Sequence, residues 1–269
     1  MAHAIERILC QDRAILIAGL IAITLPAWVY VIDLSFQMRD MMMDTSPSMD
    51  MSPTPMMPNI QAWSVEDFLF NLTMWAVMMV AMMTPSATPM ILTFAGLNRR
   101  RNPNENTGNK SVSFLAGYLI VWFSFSAIAT LIQWGFHSLG LLSPELISVT
   151  PVIGAIILIL AGIYQFTPLK YVCLSNCRTP VSFLATEWRD GTSGALIMGL
   201  RHGLYCLGCC WTLMLLLLVT GVMNLLWVAL IAGYVLVEKV TPAGQKISLA
   251  IGLFIFGWGV WLLIQALTM

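Results

Sequence analysis

Five of the six cysteines fall between positions 173 and 210. Three of them close the run Arg201-His202-Gly203-Leu204-Tyr205-Cys206-Leu207-Gly208-Cys209-Cys210-Trp211. On a helix, His202, Cys206 and Cys210 stand at i, i+4 and i+8, with Cys209 one turn from Cys206. An imidazole and two or three thiols then share one stripe. Cys173 and Cys177 precede them in what reads as a loop. A single cysteine in an apolar helix is ordinarily a small hydrophobe. Three in five positions below a histidine, with a further pair nearby, read better as metal ligands. Thiolate and imidazole suit Zn(II) or Cu(I).

Methionine is the second unusual donor, at 19 residues. Met74, Met78 and Met82 repeat at i, i+4, i+8, and Met79 and Met83 run beside them, so two thioether ladders share a helix face. Packing alone can explain such a stripe, because methionine fills irregular gaps. The following Thr84-Pro85-Ser86-Ala87-Thr88-Pro89 is expected to interrupt the helix. A separate segment, 38–57, reads MRDMMMDTSPSMDMSPTPMM. Its prolines and serines predict an irregular external loop. Met41, Met42, Met43, Met49 and Met51 in it are soft neutral ligands that favour Cu(I), with Asp40, Asp44 and Asp50 to attract the cation. The plainer reading is a low-complexity linker or a segment lying on lipid.

The elements that must position these donors are membrane helices. The chain has 269 residues, 58% hydrophobic and only 10% charged, against about 25% charged in a soluble domain. Thirteen basic residues balance 13 acidic ones, so the basic surplus of a nucleic-acid binder is missing. An ordinary soluble enzyme and a disordered chain are excluded as well. The expected fold is all-α, a polytopic bundle of about seven transmembrane helices over 14–32, 68–97, 112–134, 146–169, 195–219, 224–240 and 247–267. This divides the chain into an N-terminal anchor helix (1–34), an external Met-rich loop (35–66) and a six-helix membrane domain carrying the Cys/His cluster (67–269).

Seven crossings place Arg7, Arg13, Arg99, Arg100, Arg101, Lys110, Lys170, Arg178, Arg189, Arg201, Lys239 and Lys246 on one side and Arg39 alone on the other. The positive-inside rule makes the N-terminus cytoplasmic and the C-terminus external. Methionines then concentrate outside and in the second span, cysteines inside. The reducing cytoplasm disfavours structural disulfides there. Glu238-Lys239, closing the sixth span, reads as a pair that snorkels to the interface; the alternative is a carboxylate that supports the thiols or takes part in ion passage. His3 and His137 read as solvated, and Cys10 carries no assignment.

The run from Arg201 to Trp211, Gly162-Ile163-Tyr164-Gln165-Phe166-Thr167-Pro168-Leu169-Lys170, Cys173-x3-Cys177, Val222-Met223-Asn224-Leu225 and Glu238-Lys239 together resemble an uncharacterised bacterial family of predicted metal-binding integral membrane proteins. The likeness covers roughly 65–265. It implies a multi-pass protein of the bacterial cytoplasmic (inner) membrane that binds a metal. The external Met segment is not carried over from it.

The residues and the resemblance lead to a copper protein of the membrane, acting in transport, storage or delivery, with zinc as the second metal. No catalytic constellation is read. Its partners are the bilayer, the metal ion and a further membrane complex or copper protein, without nucleic acid. Two other readings stand beside it. One is a thiol–disulfide oxidoreductase using Cys206-x2-Cys209 and Cys173/Cys177. The other is a structural or accessory subunit of a larger membrane complex.

Overall fold

The computed structural model describes residues 2–44, 63–102, 107–141, 150–222 and 224–268, the side chains of 2–12 and 41–44 excepted. Among these the fold is all-α: α1 Ala2–Asp44, α2 Val65–Arg101, α3 Thr107–Ser138, α4 Pro151–Gln165, α5 Pro168–Arg178, α6 Pro180–Glu187, α7 Gly191–Leu215, α8 Leu217–Thr220, α9 Leu225–Val240 and α10 Gly244–Thr268. Five stretches are long and apolar enough to cross a membrane, in α1, α2, α3, α7–α8 and α10. The pair α4–α5, bent by 65°, makes a sixth if it counts as one span. The expected sixth span, α9, has 16 residues, about 24 Å of helix against about 30 Å of hydrocarbon.

Local chemistry accounts for the boundaries. Ser64 caps α2 in a reciprocal box with Asp67, and Arg99, Arg100 and Arg101 occupy its last turn, each end matched to the helix dipole. Pro168 and Pro180 open α5 and α6, where a missing amide hydrogen costs nothing. Pro168 also stops α4 from continuing, which sets the bend. Gly221, at φ 92°, ends α8 in a conformation that side chains resist.

Three sequence expectations change. The helix α1 continues to Asp44, so 35–44 is not loop; methionine is a good helix former and the first proline of the segment is Pro47. Met49 and Met51 lie outside the described residues. The helix α2 runs unbroken through Pro85 and Pro89. Hydroxyls reinforce the turns around them: Ser86 donates to the Met83 carbonyl (2.9 Å), Thr88 to Thr84 (3.2 Å) and Thr93 to Pro89 (2.7 Å). Finally, Cys173 and Cys177 stand on a helix, α5, one turn apart.

The core gathers Trp75, Phe94, Phe114, Tyr118, Trp122 and the α2 methionines. Its tightest seam is α3 on α7. A Cβ at Gly199 would collide with the Phe114 backbone, and one at Gly117 with the backbone of Leu196 and Leu200. Gly162 and Gly259 do the same between α4 and α10, against Phe256 and against Leu158 and Ile159. The α1 helix lies against α2 with most of its apolar surface open.

Replacing Gly199 by valine therefore lowers the thermal midpoint of the detergent-solubilised protein, by the equivalent of about 1–3 kcal/mol for overpacking. Gly96→Ala, where a Cβ meets nothing within 4 Å, leaves the midpoint unchanged or raises it.

Candidate metal centre

The α7 helix presents His202, Cys206, Cys209 and Cys210 toward the interior, the three thiols without exposed surface. The α5 helix lays Cys173 and Cys177 against them. Cys177 faces Cys206 and Cys209. The Cys173 sulfur sits 2.7 Å from where a Cβ would stand on Gly208, so the glycine in the cysteine run is what admits α5. All five cysteines are free thiols. Two segments that the sequence separates by nearly thirty positions thus meet in one cluster.

Cys206 is the centre of its polar contacts. Its sulfur lies 2.9 Å from the Lys239 ammonium and 3.1 Å from the Tyr118 hydroxyl. Lys239 also donates to Ser86 Oγ at 3.1 Å, and Tyr118 donates to the Met83 carbonyl at 3.0 Å. Four helices, α2, α3, α7 and α9, converge on this thiol. Tyr118, Ser86 and Lys239 were not among the candidate residues. Tyr118 leaves no trace in spacing, being one aromatic in an apolar helix. Lys239 does leave one, a lysine at the end of an uncharged run, but a lysine there snorkels to the interface as readily as it turns inward. The structure buries it and its neighbour Glu238 instead.

The Glu238 carboxylate is engaged elsewhere. It accepts from Lys170 at 2.6 Å, both side chains almost fully buried, and from the Tyr234 hydroxyl at 3.0 Å. Lys170 donates further to Gln165, whose oxygen also accepts from Ser248 at 3.1 Å. This network fastens the start of α5 to α4, α9 and α10. The shelf that carries Cys173 and Cys177 is held by a buried ion pair, which breaks at high cost when one partner is removed.

His202 stacks on Phe114 and Tyr118, with Phe183 tilted beside it at 5.7 Å. Its Nδ1 has no hydrogen-bond partner among the described residues despite burial. Met78, Met79, Met82 and Met83 are all buried, and the Tyr118 link brings the Met83 turn beside Cys206. The last turn of the methionine ladders is therefore tied to the Cys206 sulfur through Tyr118. Met41, Met42 and Met43 lie in the last turns of α1, far along the chain from this cluster.

Cys209 and Cys210 both point their thiols onto the Cys206 carbonyl, at 3.0 Å each. In these rotamers no three His, Cys, Asp or Glu side chains among the described residues stand ready around one point. Rotation about χ1 would release the two thiols. Each gives up one hydrogen bond of roughly 1 kcal/mol, small beside the ~10 kcal/mol or more that a thiolate metal site can supply. The donor chemistry fits a soft monovalent ion, with thiolates, thioethers and one imidazole in an apolar setting.

The family model PpoB2, described as a copper chaperone, matches residues 72–262. The chain belongs to this family. The matched range includes every residue of the cluster, the methionine ladders, Tyr118 and Lys239, and it leaves out α1 and the segment 38–57. No curated protein and no solved structure matches the chain.

Glu238→Leu strands the Lys170 charge and costs about 3–5 kcal/mol of stability. It also loosens α5, so Cys173 and Cys177 alkylate faster in the native protein while Cys206 stays protected. Pairing it with Lys170→Met recovers most of the loss, as thermal unfolding and mass-spectrometric thiol mapping will show.

Proposed function

We propose that this member of the copper chaperone family is an integral protein of the bacterial cytoplasmic membrane that binds Cu(I) at the buried thiols of α7 and α5 for transport, storage or delivery. The observation that carries the reading is the gathering of Cys177, Cys206, Cys209 and Cys210 in one buried cluster, with the Lys239 ammonium on the Cys206 sulfur. Thioethers and thiolates both prefer Cu(I), and neither the ladder nor the thiols suit hard cations.

The five long apolar helices, the bent pair α4–α5 and the short α9 together supply seven crossings. With the N-terminus cytoplasmic, α5, α6 and the thiols lie toward the reducing side, where cysteines stay free. The C-terminus and the Met-rich segment 38–57 then face outward. Lys170 and Lys239 contribute less to the inside charge bias than loop lysines do, because their side chains are buried in the bundle. Thiolates hold Cu(I) more tightly than thioethers, so an ion entering along Met78, Met79, Met82 and Met83 comes to rest at the cysteines. Release from there needs an acceptor with comparable sulfur ligands, that is, another copper protein or a membrane complex. Zn(II) is the second candidate ion, because thiolate and imidazole serve it too.

Purified in detergent under reducing conditions, the full chain is expected to bind Cu(I) near one equivalent. Cys206→Ser should weaken binding at least about tenfold, and serine at 206, 209 and 210 together should abolish it. Changing Met78, Met79, Met82 and Met83 to leucine should slow loading and leave the final stoichiometry intact. A protein that takes up no Cu(I), or whose binding ignores the cysteine changes, overturns the reading.

A further inference from the structure

Lys239 is a buried cation with no carboxylate beside it among the described residues. Glu238, its neighbour in the chain, is turned to Lys170. What Lys239 touches is a serine hydroxyl and the sulfur of Cys206. An uncompensated charge in an apolar interior is costly, so this place favours one net negative charge. Sulfur is the atom in reach that can carry it.

The charge balance then limits what the cluster can hold. Cu(I) on two thiolates has net charge −1, which the ammonium cancels. Cu(I) on three thiolates leaves one negative charge over. A divalent ion on two thiolates is neutral and leaves Lys239 uncompensated. A divalent ion restores balance only by recruiting a third thiolate. Such an ion has to gather three of Cys177, Cys206, Cys209 and Cys210, with the Cys209 and Cys210 thiols both turned onto the Cys206 carbonyl, where Cu(I) needs only two.

We propose that Lys239 sets the charge of the metal centre, so that the site takes a monovalent ion on two thiolates, one of them Cys206, and discriminates against divalent ions. This rests on the copper reading above and names what selects the ion. Lys239 does not ligate the metal. It acts through Cys206, as a positioning residue, and Ser86 of α2 holds it there.

The test uses the full chain in detergent under reducing conditions, as wild type, Lys239→Met and Lys239→Arg. Affinities for Cu(I) and Zn(II) are read by competition with chromophoric chelators, and the sulfur count around copper by X-ray absorption. Wild type is expected to show two sulfur neighbours. Lys239→Met should lower the Cu(I)-over-Zn(II) affinity ratio by about tenfold or more, and the charge-retaining arginine should keep it within a few-fold. An unchanged ratio in Lys239→Met overturns the proposal, and so do three sulfurs around copper in the wild type. Should Lys239→Met fail to fold, the wild-type sulfur count alone decides. A wild type that binds Cu(I) but fails either criterion sinks only this inference; one that binds no Cu(I) sinks the copper reading and this inference with it.

Discussion

Where α3 crosses α7, Gly117 and Gly199 let the two backbones approach within a distance that any side chain would forbid. Membrane-type helices gain little from excluding lipid, so close van der Waals contact between small residues is a main source of their association. Here the contact has chemical consequences as well. Phe114, opposite Gly199, is placed on the ring of His202, and Tyr118, next to Gly117, is placed on the sulfur of Cys206. Tyr118 then reaches the Met83 carbonyl of α2. A steric allowance between two helices thus fixes the position of the thiol relative to three others.

Charge is arranged with the same economy. Lys170, Lys239 and Glu238 are buried at one end of the bundle, and Lys170 takes the glutamate. The remaining ammonium faces sulfur. The Lys170–Glu238 pair holds α5 in place, and Lys239 gives the cluster its electrostatic character, so consecutive residues of α9 serve a structural and a chemical purpose. They can do so because successive side chains on a helix leave it about 100° apart.

The long apolar helices and the inward stripe of His202, Cys206, Cys209 and Cys210 were legible in the sequence, because length and a repeat of four are direct consequences of helix geometry. The continuity of α2 through Pro85 and Pro89 was not. Proline removes a hydrogen bond locally, but whether the helix survives depends on what holds the neighbouring turns, here Tyr118 and three hydroxyls on the adjacent carbonyls of Met83, Thr84 and Pro89. The helix α5 was hidden for a related reason. Thr167-Pro168 is a good helix start, yet the same dipeptide also suits a turn, and the packing of Cys173 on Gly208 decides between them. Lys239 could be located but not oriented, since a lysine at a helix end reaches water or the core equally well until its partners are known.

The prolines in α2 carry a mechanical consequence. Pro85 and Pro89 supply no amide hydrogen, so the carbonyls of Ala81 and Pro85 lack the rungs that stiffen a helix elsewhere. Ser86, the residue that steadies Lys239, lies between them. A rod with two rungs missing is most compliant there. Small bending of α2 therefore shifts Ser86 and the Met83 turn together relative to Cys206, at the one place in the helix where bending breaks the fewest bonds.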